Sequence, residues 1–194
     1  IDLWVSKKLS EFADVALAGP HLTLKAEETR KAAPYIKYFL KGEYIYSSLK
    51  MADTRRAGIY ESLVVEDIDS IPFPYRDYNS ATMYFDPTMP TLQPQLQIYG
   101  SKGCPFKCTF CLWPNTMYHH KVSLRQPEKI IEEINFCVEK YGYKSIFFDD
   151  DTFNIGTERI SILCDYLKKT GLPWTMMGRL DCSPEWLYDK MADS

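Results

Sequence analysis

The chain has 194 residues, 45% hydrophobic and 25% charged, a globular balance that excludes a disordered, fibrous or low-complexity chain and a length that suits one domain or two small ones. No run approaches the roughly 18 apolar residues a membrane span needs, and the opening Ile1-Asp2-Leu3-Trp4 is no basic leader. A net charge of -3 is too even to make nucleic acid or an anionic membrane the main partner.

In chain order, Ala13 to Pro20 reads as a short strand stopped by Gly19-Pro20, Lys25 to Ala33 as a helix ended at Pro34, and Tyr35 to Leu40 as a second strand closed by Gly42. Strand, helix and strand at this spacing suit the second half of a doubly wound α/β domain. Such a sheet takes about five strands, so its first strands are expected to precede Ile1. Residues 51 to 96 are less regular. Ile71-Pro72-Phe73-Pro74-Tyr75, with Pro87, Pro90 and Pro94, sustains neither a helix nor a central strand. The aromatics Tyr60, Phe73, Tyr75, Tyr78, Tyr84 and Phe85 predict a connector that packs on a domain surface instead of swinging as a polar linker would.

Three βα units follow. A strand from Leu96 to Gly100 leads into a cysteine loop, and Pro127 opens a helix with Ile131, Ile134 and Val138 on its apolar face and Gly142 at its end. Ser145-Ile146-Phe147-Phe148 is a buried strand ending in Asp149-Asp150-Asp151. Thr157 then caps a helix to Lys169 whose core face is Ile160, Leu163 and Leu167. Trp174 to Arg179 is the third strand, followed by Ser183 as a cap and Pro184 as the first helical residue. Consecutive βα units imply parallel strands with right-handed crossovers. The 98 residues from 97 to 194 fall short of the roughly 200 that a closed barrel takes, which predicts a fragment cut at both ends. The expected fold class is α/β: residues 1–60 as the end of a doubly wound domain, 61–96 as connector, and 97–194 as the first half of a partial (β/α) barrel.

Of six cysteines, Cys137, Cys164 and Cys182 are scattered singly, whereas Cys104, Cys108 and Cys111 lie within eight residues. That is not a disulfide framework. With no secretion signal it points to a metal or redox site in a reducing compartment, so a cytoplasmic location is expected. The loop Cys104-Pro105-Phe106-Lys107-Cys108-Thr109-Phe110-Cys111 is a C-x3-C-x2-C run directly after a strand, three soft ligands suited to an iron-sulfur cluster, zinc or copper. Three thiolates converging on one point can hold three corners of a four-iron cluster and leave the fourth iron open. The competing reading is a non-catalytic zinc-binding interaction module with His119 or His120 as fourth ligand.

The strand-end residues add to this. Alternation puts Asp149 and Asp151 on one face and Asp150 on the other, and adjacent carboxylates call for cations or hydrogen-bond donors. Arg179 ends the third strand, so cysteines, aspartates and arginine all fall at the C-terminal ends of parallel strands, where α/β sites are built. No acidic residue lies between Asp86 and Glu128, while Lys102, Lys107, Lys121 and Arg125 do, which predicts a positive local field that draws in a phosphate- or carboxylate-bearing substrate.

The cysteine run with an aromatic, Phe110, before its last cysteine resembles the signature of radical S-adenosylmethionine (SAM) enzymes. Cys108-Thr109-Phe110-Cys111-Leu112-Trp113-Pro114, Phe147-Phe148-Asp149-Asp150-Asp151-Thr152-Phe153 and Gly178-Arg179 resemble the cobalamin-binding subgroup, especially its hopanoid-biosynthesis branch. Val15 to His21, Leu40 to Glu43 and Ile71 to Pro74 resemble that subgroup's cobalamin domain and connector. The resemblance implies that Cys104, Cys108 and Cys111 hold a four-iron four-sulfur cluster. It further implies that SAM chelates the open iron and is cleaved reductively to a 5'-deoxyadenosyl radical, with Phe110, Asp149, Asp150, Asp151 and Arg179 as cofactor contacts. It implies cobalamin in the complete protein, although no Asp-x-His-x-x-Gly occurs in these residues. The implied partners are a small-molecule or lipid-precursor substrate, modified by methyl transfer or rearrangement, and an electron donor such as flavodoxin or ferredoxin.

Overall fold

The computed structural model describes residues 2–62, 67–77, 83 and 91–194. Tyr78, Tyr84, Phe85, Asp86, Pro87 and Pro90 lie outside the described residues. The chain divides into two compact units: Ile1–Glu66 with Gly103–Val122, and Asp67–Lys102 with Ser123–Ser194.

In the first unit, helix α1 (Asp2–Leu9) precedes a parallel sheet ordered β1 (Ala16–Ala18), β2 (Tyr38–Gly42), β3 (Gly58–Ser62). Ala16 pairs with Tyr38 and Ala18 with Leu40, and Tyr38 pairs in turn with Gly58. Parallel neighbours need crossovers, supplied by α2 (Pro20–Ala32) and α3 (Tyr44–Thr54). Alternation along β2 separates two cores. Phe39 packs with Leu22, Ala26 and Ile36, whereas Tyr38 and Leu40 pack with Tyr60 and the α3 residue Met51. The sheet is thus covered on both faces, as a doubly wound domain requires.

Gly19-Pro20 does more than stop the strand. Gly19, at φ 113, leads into Pro20 at the first helical position, where a missing N–H costs nothing. The helix therefore begins five residues before Lys25. Lys25 itself leaves helical geometry (φ -126, ψ 31), so the stretch after it reads as a separate helix. Helix α3 starts where the Glu43 carboxylate accepts the Ile45 N–H at 2.8 Å.

In the second unit, β4 (Gln95–Ile98), β7 (Ser145–Phe148) and β8 (Trp174–Met176) form a parallel sheet in that order, with Leu96 opposite Ile146 and Ile146 opposite Trp174. All four β7 residues are buried, as for a central strand covered on both faces. Helices α4 (Pro127–Tyr141), α5 (Thr157–Thr170) and α6 (Glu185–Ala192) follow the successive strands. The α5 core face is Ile160, Leu163 and Leu167, all fully buried. Helix α4 is rotated from expectation: Ile130, Ile134 and Cys137 are fully buried, Ile131 and Val138 only partly. Gly156, not Thr157, caps α5. The third strand is shorter than expected, and Pro184 takes the cap of α6 while Ser183 donates to the Asn154 carbonyl at 2.9 Å.

Of the connector's described aromatics, Phe73 is half-buried but Tyr75 is 92% exposed, so the segment is held by charged groups more than by the expected aromatic packing. Arg76 and Arg125 each reach Glu133 at 2.7 Å, Arg125 stands 5.7 Å from the Phe73 ring centre, and Asp69 accepts the Gln126 N–H at 2.8 Å. A short pair, β5 (Ser101–Gly103) with β6 (Val122–Leu124), brackets the cysteine loop in sequence. No helix among the described residues is long and apolar enough to cross a membrane.

Candidate functional site

The cysteine loop begins with a backbone requirement. Gly103 has φ +86, and a Cβ there would run into the Lys121 carbonyl and the Tyr118 ring, so only glycine fits. The Cys111 N–H bonds the Cys108 carbonyl at 3.1 Å, closing a turn between the last two cysteines of the run. A single π-helical turn, Pro114–Tyr118, follows; such irregular turns recur at functional sites. The Asn115 amide donates to the Cys111 carbonyl at 2.6 Å and the Thr116 hydroxyl to the Leu112 carbonyl at 2.8 Å.

Cys108 and Cys111 line one open cavity of about 510 Å³, together with Leu24 and Phe110. Phe110 is 89% exposed. Cys104 is buried and does not line this cavity, and no three His, Cys, Asp or Glu side chains group tightly enough to hold a metal ion among the described residues. The expected convergence of three thiols is therefore two at a cavity and one in the interior. Metal bonds are what draw thiolates together; packing alone treats cysteine as a small apolar residue. The donor set itself fits a thiolate-ligated cluster by its chemistry: three cysteines on one loop, none in a disulfide, two of them opening on a cavity. His119 is exposed, and the His120 Nδ1 lies 3.0 Å from the Phe106 carbonyl.

At the strand ends of the second unit the three aspartates separate as alternation requires. Asp150 is 2% exposed. It accepts the Gly100 N–H at 2.9 Å and the Ser101 hydroxyl, and burial pushes its carboxyl up to about 6. Asp149 is half-buried with the Tyr99 hydroxyl 3.3 Å away, and Asp151 is exposed. Asp150 thus points into the protein and its neighbours outward.

Arg179 makes a two-pronged pair with Asp181, at 2.8 and 2.5 Å, which holds the Asp181 carboxyl below its ordinary range. Its main chain is held by Asn154, a residue the sequence pattern did not flag. The Asn154 side chain accepts the Arg179 N–H at 3.0 Å and donates to the Arg179 carbonyl at 2.7 Å. Arg125 does not add to a positive field, because Glu133 and Asp69 take up its charge. Cys137 and Cys164 are buried in helices, and burial pushes both thiols up.

No family model matches the chain. It is 26% identical to an uncharacterized methyltransferase of Pyrococcus horikoshii, over 97% of this chain and 45% of that protein. It is 23% identical to the anaerobic magnesium-protoporphyrin IX monomethyl ester cyclase of Cereibacter sphaeroides, over 81% of this chain and 28% of that protein. Against the hopanoid C-2 methylase of Rhodopseudomonas palustris it is 36% identical over 38% of this chain and 15% of that protein. The chain spans less than half the length of each.

Proposed function

We propose that this chain carries the cluster loop of a radical SAM enzyme, a reading supported by its likeness to a methyltransferase, an anaerobic cyclase and a hopanoid methylase. Its reaction is methyl transfer or radical rearrangement on a small molecule or lipid precursor. The observation that carries the reading is the C-x3-C-x2-C loop, with Cys108, Cys111 and the exposed ring of Phe110 at one cavity.

Cys104, Cys108 and Cys111 would hold the cluster through three thiolates. When bound, the cluster supplies the electron that breaks a carbon-sulfur bond of SAM. Phe110 offers an aromatic face to the adenosyl group. Asp149 and Asp151, facing outward, suit the amino group and ribose hydroxyls of SAM. Arg179 suits its carboxylate once it exchanges Asp181 for it, a bidentate geometry that guanidinium provides. Asp150 serves the same end from within, by fixing the backbone of Gly100 and Ser101.

The doubly covered parallel sheet of residues 16–62 supports the reading of residues 1–60 as part of a cobalamin-binding domain, followed by the connector at 61–96 and the radical SAM core from 97. A flavodoxin- or ferredoxin-type donor in the cytoplasm completes the proposal. The test is anaerobic reconstitution with iron and sulfide, then a visible spectrum, metal analysis and the electron paramagnetic resonance of the reduced protein with and without SAM. A brown protein with about four irons whose resonance shifts on adding SAM is expected. A colourless protein that prefers one zinc would overturn the proposal.

A further inference from the structure

Helix α2 precedes the cysteine motif by some eighty residues in sequence, yet in the first unit it meets the loop. Thr23 is the junction. Its Oγ1 lies 3.0 Å from the Gly19 carbonyl and 3.3 Å from the Met117 Sδ, and accepts the Gly42 N–H at 3.0 Å. Buried on all sides, this hydroxyl ties the first turn of α2 to the end of β2 and to the π-helical turn that follows the cysteines. Leu24, the next residue, is thereby held at the cavity that Cys108 and Cys111 line.

Leu24 is 62% exposed, Phe110 89% and Leu112 51%. A single exposed leucine needs no explanation. Three large apolar side chains around one cavity of about 510 Å³ form a lining of the kind that small-molecule sites use, within their usual range of roughly 300 to 1,000 Å³. The rest of the lining is the two cysteines and four polar residues, Lys107, Thr109, Asn115 and Thr116. A planar aromatic face with polar edges matches that lining, and the adenine ring of SAM's adenosyl group offers one.

We infer that Leu24 is a SAM contact residue contributed by the first α/β unit, packing against the adenosyl group at the cysteine loop. The inference rests on the cluster reading above and extends it to an element that carries no part of the cysteine motif. It makes α2 part of the cofactor site as well as of a crossover.

The experiment compares the reconstituted protein with Leu24→Ala, Leu24→Asp and the control Leu49→Ala, an exposed leucine on α3 that does not line the cavity. Iron per chain is measured first, then the SAM concentration that half-shifts the resonance of the reduced cluster. All four proteins are expected to hold the same iron. Half-shift should need about tenfold more SAM in Leu24→Ala, from the apolar contact removed, still more in Leu24→Asp, and the same as the parent in Leu49→Ala. Unchanged SAM dependence in both Leu24 variants at full iron would overturn the inference alone, as would loss of iron in Leu24→Ala, which would make Leu24 a support of the loop. A parent protein that takes up no iron would bring down the cluster reading and this inference with it.

Discussion

The carboxylate of Asp150, at the end of β7, accepts the hydroxyl of Ser101, the residue that opens β5. The same carboxylate takes the Gly100 N–H, while the Arg159 guanidinium donates to the Gly100 carbonyl at 3.1 Å and the Phe153 carbonyl at 2.7 Å. Acid and base together fix the peptide from which the cysteine loop departs. Burial lowers the Arg159 guanidinium and raises the Asp150 carboxyl.

That raised carboxyl predicts a pH dependence. Between its ordinary 3.8 and its folded value of about 6, the folded protein keeps a proton that the unfolded chain has released. The Asp150 contribution to stability is therefore largest below the ordinary value and is lost as pH rises through about 6, a change of roughly 3 kcal/mol. Urea unfolding at several pH values should show this slope in the parent protein and not in Asp150→Asn. Equal slopes in both would show that another group titrates.

Cluster loading should separate the cysteines by role. Cys108→Ala should lose its iron, because two thiolates hold a cluster poorly. Cys137→Ala should keep its iron and lose about 1 kcal/mol of stability, since Cys137 is a fully buried packing group in α4. Equal iron loss from both would sink the ligand assignment.

Asn154 is 1% exposed and bonds both main-chain groups of Arg179. Asn154→Ala leaves these without that partner and should cost about 3 kcal/mol in urea unfolding. Tryptic cleavage after Arg179 should quicken in the native protein. Parent-like stability and cleavage would mean that Asn154 does not hold this segment.

Glu133 is 1% exposed and faces both Arg76 and Arg125. Removing it takes that carboxylate from the largely buried Arg76 and leaves Arg125 with Asp69 at 3.7 Å, so Glu133→Ala should destabilise by about 3 kcal/mol. Glu133→Gln, which keeps an acceptor, should cost less. A loss under about 1 kcal/mol in Glu133→Ala would show the pairs to be solvent-screened.

Much of this was readable from local pattern, and the unread parts share a cause. Ile146 to Phe148 is an apolar run between Ser145 and the aspartates, and Ile160, Leu163 and Leu167 repeat at helical spacing, so both surfaced without tertiary information. Helix α3 begins Tyr-Ile-Tyr-Ser-Ser, aromatic and β-branched residues that are no guide to a helix, and its start is set by the Glu43 side chain. Helix α1 buries only Ser6 and leaves no apolar stripe to read. Pro20 carried two meanings, and the helix-opening one prevailed. Alternation set Asp150 opposite its two neighbours but not which face is inward, because its partners Gly100 and Ser101 stand some fifty residues earlier. Asn154 finds Arg179 only once the loop after β8 has folded back. The spacing of the three cysteines was plain, whereas the burial of Cys104 depends on what packs around it.

The cysteine loop, residues 103 to 122, clusters with residues 1 to 66, while the stretches on either side of it belong to the other unit. The polypeptide crosses between units three times, so no single cut divides it into two intact modules. A piece starting at residue 67 would contain the whole cysteine motif and yet lack Thr23 and Gly42, against which the π-helical turn is set. Truncation series and gene fusions should therefore carry the loop together with the first sixty-odd residues, and the shortest segment that contains the motif is a poor choice for isolating it.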